Sequence, residues 1–366
     1  MISAFHQFEE RIKQLLSFID SSEAINEIVG TNLPDVDEND LISALRPHLI
    51  YLKNNSMTRK INVYASSVIL LYGLFEQYVE ELIIAFLLEL EHAIPNFNDM
   101  PEKIKKSHTE LSAQLLLNSQ LDKYRDRCNV SDVIQRMHLC VKGEDFRLNT
   151  LAFIDHKSNF RIDSLNQFFA SVGISGISGL VKKVSEFDKY ISKRFPEGGI
   201  DNMPDKVIFE DLNDLAWRRN MIAHGWPDDT LSVEMMKERL EFVKVLGQSV
   251  YDVVRQTVLP YVVKYRGYTL PKPIAVYNNT IVCFKIDSGS ISDGDKIISR
   301  SLNGRHHEGK IKELQIDGVQ KLEVSAPPDI EVACRLNFKA KDNWEYFLIK
   351  KEVQKNSTTR QMHSDG

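Results

Sequence analysis

The sequence predicts an α+β multidomain protein in which an all-α helical bundle is followed by a small antiparallel β-barrel. Through roughly the first 260 residues, apolar side chains recur at steps of three and four, which is the period of amphipathic helices. Beyond residue 273, apolar residues alternate in short runs between turn signals, which is the pattern of half-buried strands. A chain of 366 residues is long enough for two or three domains.

The longest helical pattern lies at residues 58–93 and predicts the central helix of the bundle. Its apolar positions keep helical spacing over many turns and are Tyr64, Val68, Leu71, Phe75, Tyr78, Leu82 and Phe86. Further helices are predicted at residues 5–19, 40–52, 102–117, 131–141 and 180–191, and a last long pattern reaches Val258. We therefore expect a helical domain over residues 1–262, with its core at roughly residues 51–259.

Residues 274–350 are expected to form the barrel, because about six short alternating runs lie between turn signals there. The turn signals are Asp293-Gly294, Asn303-Gly304, Asp317-Gly318 and Pro327-Pro328. Residues 263–273 contain two prolines and are expected to be a linker. The polar residues 351–366 are expected to form a disordered tail.

Composition excludes several classes of protein. A net charge of −5 argues against coating nucleic acid through bulk charge, although a local basic site is compatible with it. Acidic residues interrupt both the N-terminal segment and the most apolar stretch, so neither a signal peptide nor a membrane span is expected. The four cysteines form no CxxC pair and fit a reducing compartment, so we expect a cytoplasmic protein.

No metal or cofactor site is expected from the sequence. Phosphate-binding loops, HExxH and paired zinc spacings are missing from it. His306 and His307 are adjacent in a predicted β region, where neighbouring side chains point to opposite faces. Single histidines are more often structural than catalytic; among them, His156, beside Lys157 and near Arg161, is a candidate for a cleft wall.

The stretch WRRNMIAHGWP, residues 217–227, carries an arginine into an apolar helical stripe. The stripe consists of Ile208, Phe209, Leu212, Leu215, Ala216, Arg219, Ile222 and Ala223. An arginine without a partner is rarely buried, because an unpaired charge away from water is costly. Arg218 lies about 100° away around the helix and is expected to reach solvent. The following glycine and proline predict that the helix ends at about His224.

Arginine and histidine without a carboxylate dyad or a metal cluster suit the cleavage of RNA. An arginine binds a phosphate through two parallel hydrogen bonds, and a histidine can take a proton from a hydroxyl near neutral pH. RNA carries its own nucleophile, the 2′-hydroxyl, beside each phosphate. One base and one phosphate clamp are therefore sufficient chemistry for cleavage without a metal.

The stretch RRNMIAHG resembles the Arg-Asn-x-x-x-His motif of HEPN-domain ribonucleases, which occur in toxin–antitoxin and phage-defence systems. The upstream stretch YASSVILLYGLFEQYVEELI is similar to the family's aromatic-glutamate helix, with Glu76 at the acidic position that often faces the motif. The stretch HKSNFRIDSLNQFFASVGI also resembles the connecting segment of one bacterial subgroup. The resemblance covers roughly residues 51–259.

This resemblance implies a helical domain that dimerises, with two motifs in one cleft, and metal-independent cleavage that leaves a cyclic phosphate. Arg219 would clamp the phosphate and His224 would act as acid or base. Asn220 would orient His224, and Glu76 would position Arg219 or His224. The implied partners are RNA, whether tRNA, rRNA or mRNA, a second copy of the chain and an antitoxin, and the implied role is that of a toxin or antiviral effector.

The C-terminal stretch from ISDGDKIISR to IEVACRLNF resembles the second-domain β-barrel of translational GTPases. Such a barrel would be a docking module for RNA, the ribosome or another protein, or it would be a generic barrel that stabilises a dimer or caps the bundle. For the helical domain, two alternatives stay open beside a nuclease: a non-catalytic module that binds RNA or a partner, and a dimerisation domain. In both, Arg219 is a buried arginine capped by carbonyls and His224 a residue at a helix end.

Overall fold

The structure is a computed structural model that describes residues 1–31, 40–143, 145–156, 158–225, 229–287, 289–325 and 329–351. Three features discussed above lie outside the described residues. They are the polar tail beyond residue 351, the turn at Pro327-Pro328, and Trp226 with Pro227 at the end of the quoted motif.

The chain divides into two compact units, with the boundary between Thr257 and Val258. The first unit is built from helices, which are Ile2–Gly30 (α1), Asp40–Asn54 (α2), Ser56–Ala93 (α3), Glu102–Leu117 (α4), Asp122–Arg125 (α5), Val130–Lys142 (α6), Thr150–Phe153 (α7), Ile162–Ser171 (α8), Ile177–Lys182 (α9), Ser185–Arg194 (α10), Asp205–Ile208 (α11), Glu210–His224 (α12) and Val233–Arg266 (α13), of which residues 258–266 belong to the second unit. Two 3₁₀ helices, Phe97–Asp99 and Ile200–Asn202, join them. The all-α prediction for this part of the chain is confirmed.

Helix α3 is the central helix of the first unit and contacts α1, α2, α7 and α12. The seven apolar positions that the sequence predicted for it are all buried. Phe8 of α1 stacks on Tyr78 of α3, with 4.3 Å between the ring centroids. The Tyr78 hydroxyl donates a hydrogen bond to the carbonyl oxygen of Gly247 on α13, at 2.9 Å. Three helices therefore meet closely around one aromatic pair.

The second unit contains antiparallel β-strands, which are Tyr268–Thr269 (β1), Ala275–Tyr277 (β2), Ile281–Ile286 (β3), Ser290–Ser292 (β4), Lys296–Arg300 (β5), His306–Ile316 (β6), Val319–Lys321 (β7), Glu323–Ser325 (β8), Ile330–Leu336 (β9) and Glu345–Ile349 (β10). The main sheet has the order β1-β10-β5-β6-β9-β3-β2, with β7 paired to β6, and β4 pairs with β8. Residues of one face form its core, and they include Val282, Phe284, Ile297, Leu314, Val332 and Tyr346.

The predicted closed barrel is wrong, because the sheet is an open half-barrel. Within the described residues, the two strands at the ends of the order, β1 and β2, do not pair with each other. They have only two and three residues, and Pro271 and Pro273 lie between them. Proline has no N–H to donate to a strand ladder, so pairing cannot be extended through these positions. The antiparallel arrangement itself is confirmed.

The segment 263–273, for which the sequence predicts a linker, is partly regular structure. Helix α13 continues to Arg266, and β1 begins at Tyr268. Pro260 lies inside α13 and does not end it. In the described part of the chain, no helix combines the length and the apolar character that crossing a membrane requires.

The close approach of α13 to α1 predicts that Gly247→Ala destabilises the helical unit. An added Cβ would overlap the ring of Phe8, which cannot move without disturbing Tyr78. Overpacking of this kind lowers the free energy of unfolding by about 1–3 kcal/mol. Gly73→Ala is the matched control, because nothing lies within 4 Å of the Cβ position in the middle of α3.

The control variant is expected to be more stable than the wild type by about 1 kcal/mol, since alanine favours a helix interior over glycine. Urea denaturation followed by circular dichroism measures both variants. Equal stability of the two variants would contradict the close packing at Gly247.

Candidate functional site

Helix α12 buries one face against the unit, and this face opens towards solvent over its last two turns. Leu212, Leu215 and Ala216 are buried, as the apolar stripe predicts. Further along the same stripe Arg219 is half-buried and Ala223 is exposed. The helix ends at His224, which confirms the end that the glycine and proline predicted. The stripe therefore runs from the core to an uncovered end that carries the motif.

Arg219 lies at this transition without a carboxylate partner among the described residues. Its guanidinium carbon is 5.7 Å from the ring centroid of Tyr72 on α3. One of its terminal nitrogens donates a hydrogen bond to the side-chain oxygen of Asn220, at 3.3 Å. Arginine has five N–H donors, and this amide oxygen satisfies only one of them. The guanidinium is thus held in place while most of its donors stay available.

Asn220 connects Arg219 to the segment that precedes α8. Its side-chain oxygen also accepts a hydrogen bond from the side-chain amide of Asn159, at 2.6 Å. The same Asn159 amide lies 3.5 Å from the carbonyl oxygen of Ala216. The sequence predicted that Asn220 would orient His224. The described contacts of Asn220 instead go to Arg219 and Asn159, so it acts as a bridge on the arginine side.

His224 is exposed at the C-terminus of α12. No hydrogen-bond partner of its ring lies in the part of the chain that the structure describes. Five positions after Arg219, it points about 140° away from the arginine around the helix. Within one chain, the two side chains therefore do not face the same point.

Glu76 is separated from Arg219 by one side chain, that of Tyr72. It was expected to position Arg219 or His224 directly. Its carboxylate instead accepts a hydrogen bond from the Tyr72 hydroxyl, at 3.0 Å, and lies 3.7 Å from His156 Nε2. Glu76 therefore reaches Arg219 only through Tyr72, whose ring lies beside the guanidinium.

Tyr72 is buried, and its hydroxyl makes two hydrogen bonds. It donates to Glu76 and accepts the backbone N–H of Phe160, at 2.7 Å. Burial, followed by the negative charge of Glu76, raises the pKa of Tyr72, so the hydroxyl keeps its proton. Tyr72 and Asn159 are residues of the candidate site that were not predicted from the sequence. Tyr72 lies one helical turn before Glu76 on the same face, which is a signal that could have identified it.

His156 packs at the same end of the site, between two carboxylates of α3. Its Nε2 is 3.0 Å from Glu80, and its Nδ1 is 3.0 Å from the carbonyl oxygen of Ser158. Burial alone lowers the pKa of His156, but the hydrogen bonds to Glu80 and Ser158, together with the charges of Glu76 and Glu80, raise it overall. These contacts therefore stabilise the charged form of His156.

A polar cleft of about 550 Å³ borders Asn220. It is lined by Ser158, Asn159, Arg161, Asp163, Ser164, Gln167 and Asn220. Arg161 is exposed and has no ion-pair partner among the described residues. All of the lining residues have polar or charged side chains and supply hydrogen-bond donors and acceptors, which suits a polar, anionic ligand.

Arg218 was predicted from its place on the helix to reach solvent, and this prediction is wrong. Its side chain is only 11% exposed. It forms an ion pair with Asp214 at 2.9 Å and donates a hydrogen bond to the Tyr64 hydroxyl at 2.8 Å. A second ion pair joins it to Asp229. Arg218 therefore fastens α12 to α3, whereas its neighbour Arg219 has no acidic partner in the part of the chain that the structure describes.

These features define a HEPN-type ribonuclease or RNA-binding module: a helical unit with an Arg-Asn-x-x-x-His motif at an open helix end. The model of the RiboL-PSP-HEPN family matches residues 7–256. The chain belongs to the RiboL-PSP-HEPN family. No curated protein matches the chain in sequence. The matched range ends before the half-barrel, so the likeness of that part to translational GTPases rests on the sequence pattern alone.

The ion pairs of Arg218 predict that Arg218→Ala lowers the free energy of unfolding by about 1–3 kcal/mol. The variant leaves the Tyr64 hydroxyl without its donor and removes one of the two arginines that pair with Asp214. Lys189→Ala is the control. Lys189 is exposed, and its one ion pair among the described residues is with the exposed Glu186, three residues before it. Chemical denaturation should place the control within about 0.5 kcal/mol of the wild type; a silent Arg218→Ala would contradict the prediction.

Proposed function

We propose that this chain is a metal-independent RNA endonuclease of the HEPN type. One observation carries the proposal: Arg219 is half-buried, is held by an amide and an aromatic ring, and has no carboxylate partner among the described residues. Arg218 and Arg239, two other half-buried arginines of the helical unit, pair with acids. A buried guanidinium without a counter-charge favours an anion, and an RNA phosphate supplies one.

In this mechanism, Arg219 binds the scissile phosphate and neutralises the charge that develops on it. His224 takes the proton of the 2′-hydroxyl while the 2′-oxygen attacks the phosphorus. The bond between phosphorus and the 5′-oxygen breaks, which leaves a 2′,3′-cyclic phosphate and a 5′-oxygen that takes up a proton. No oxidant, metal or cofactor enters the balance. In the described residues, no group of three or more His, Cys, Asp or Glu side chains could hold a metal ion.

The polar cleft beside Asn220 extends this proposal to the substrate. An RNA strand that places one phosphate on Arg219 would bring a neighbouring nucleotide to the cleft. Arg161 would meet the next phosphate, and the amides of Asn159 and Gln167 would face a base edge. Bases can be read this way only when they are unpaired, so single-stranded RNA is the expected substrate class.

A homodimer is part of the proposal, because His224 and Arg219 of one chain diverge. Trp217 and Met221 are 47% and 39% exposed and lie one turn apart on α12. His224 continues their row three positions later, so an apolar strip leads to the histidine. A two-fold interface on this strip would cover it and would bring two motifs into one cleft. One His224 could then act as base and the other as acid.

The biological setting is proposed on the same basis: a cytoplasmic toxin or antiviral effector that acts on tRNA, rRNA or mRNA. An antitoxin is a proposed partner, and the half-barrel is a proposed contact with the translation machinery. A second candidate function is a non-catalytic RNA-binding module. It is favoured by the exposed ring of His224, which no described side chain orients as a general base.

The proposed chemistry predicts that His224→Ala lowers RNA cleavage by about 10²- to 10⁴-fold and spares folding. Arg219→Ala is expected to abolish cleavage as well, because it removes the guanidinium that binds the scissile phosphate beside Asn220. Chelator should leave the wild-type rate unchanged. The matched control is His138→Ala, which removes another exposed histidine near a helix end. The measurement is gel-resolved cleavage of a single-stranded RNA, with the cyclic phosphate identified by mass spectrometry.

Wild-type cleavage by His224→Ala would refute the catalytic assignment. RNA binding that requires Arg219, without cleavage by any variant or by the wild type, would establish the non-catalytic module instead.

The proposed dimer predicts that Met221→Glu is monomeric, since a charge in the middle of the apolar strip would be buried in the interface. Met235→Glu is the matched control, because Met235 on α13 has a similar exposure of 46%. Light scattering at micromolar concentration measures the mass of each variant and of the wild type. A monomeric wild type would exclude the dimer, and a dimeric Met221→Glu would place the interface elsewhere.

A further inference from the structure

Both ring nitrogens of His156 face hydrogen-bond acceptors. Nδ1 lies 3.0 Å from the carbonyl oxygen of Ser158, which can only accept. Nε2 lies 3.0 Å from a carboxylate oxygen of Glu80 and 3.7 Å from one of Glu76. A neutral imidazole has one N–H, so one of its nitrogens would turn a lone pair towards an oxygen. Only the imidazolium, with two N–H groups, satisfies both sides of this geometry.

We propose that protonated His156 is a positioning residue for Arg219, and that its deprotonation switches RNA cleavage off at alkaline pH. The proposal rests on the proposed ribonuclease function and adds to it a second titrating histidine with a role different from that of His224. His156 does not touch the substrate in this scheme. It acts by fastening a short segment of chain that in turn holds the arginine.

The segment that His156 fastens is residues 158–160, and two short paths of contacts link this segment to Arg219. In the first, the backbone N–H of Phe160 donates to the Tyr72 hydroxyl, and the Tyr72 ring lies beside the guanidinium. In the second, Asn159 donates to Asn220, which accepts from Arg219. Both paths begin within four residues of His156, so loosening the segment there loosens both supports of the arginine.

Among the described residues, the groups that face His156 include no other cation. Helix α3 presents the Glu76 and Glu80 carboxylates and the Tyr72 hydroxyl, which donates to Glu76. Helix α8 presents the ring of Phe168, at 5.8 Å between centroids. Beside His156 in the chain, the Asp155 carboxylate adds to the effect of burial in raising the pKa of Tyr124.

Among the described residues, no cation other than His156 pairs with either α3 carboxylate. Loss of its proton would therefore leave two like charges one helical turn apart without a cationic partner among the described residues, and would remove the attraction that holds the segment. The raised pKa of His156 means that this loss occurs above the usual range of histidine, as pH rises through the folded-state value.

The test compares pH profiles of single-stranded RNA cleavage for four proteins. The wild type should lose activity as the pH rises, which gives its pH profile an alkaline limb. Glu80→Gln should move this limb to lower pH, because it removes the main partner of the imidazolium. His156→Lys, which keeps a charge at every pH used, should flatten the limb. Glu81→Gln changes a neighbouring carboxylate on α3 that pairs with Gln77, and it should leave the limb in place.

His156→Gln should cleave slowly at every pH, on the order of 10- to 100-fold below the wild type, as expected when a catalytic group is misplaced. A role that is only structural would lower activity without moving the limb, so Glu80→Gln separates the two. An alkaline limb that Glu80→Gln and His156→Lys both leave unchanged would overturn the proposal while the ribonuclease function stands.

An independent readout distinguishes this failure from failure of the function itself. The ring of His156 can be titrated by NMR in the RNA-free His224→Ala protein, with the signal assigned by its loss in His156→Gln. A titration above the usual histidine range that Glu80→Gln lowers supports the proposal, and a titration at the usual value overturns it. No RNA cleavage by the wild type at any pH would refute the proposed function, and with it the role of His156, whatever the titration shows.

Discussion

The buried hydroxyl of Tyr72 is the constraint on which the candidate site depends. A buried hydroxyl without partners is costly, and Tyr72 satisfies both its donor and its acceptor capacity. Its partners, Glu76 and the Phe160 N–H, belong to the central helix and to the segment before α8. Its ring supports Arg219 on a third element, α12. One side chain thereby fixes the mutual position of three parts of the chain that are far apart in sequence.

Features set by local periodicity and local stop signals could be predicted from the sequence. The buried positions of α3 follow from an unbroken spacing of three and four, and the end of α12 at His224 follows from Gly225. The placement of Arg219 in line with Leu212 and Leu215 is of the same kind. In each case the information lies within one helix, where geometry relates residues that are close in sequence.

Pairings between distant residues could not be predicted in the same way. Arg218 and Arg219 differ in sequence environment only by a rotation of about 100°, yet the first contacts Asp214 and Tyr64 while the second contacts no acid among the described residues. The Asn159–Asn220 contact joins residues 61 positions apart. The open half-barrel could not be predicted for a related reason. Strand patterns predict strands, but closure of a barrel requires the first and last strands of the sheet order to pair with each other.

Charge distribution limits how such a site can attract RNA. Residues 1–257 contain 29 Lys and Arg against 38 Asp and Glu, whereas residues 258–366 contain 17 against 13. The helical unit therefore repels a polyanion at long range, and few phosphates can be neutralised at its cleft. Under the proposed function, affinity must come from short-range contacts at Arg219 and Arg161. The imidazolium of His156 then matters twice, because it holds the segment in place and also offsets two carboxylates that would otherwise add to the repulsion.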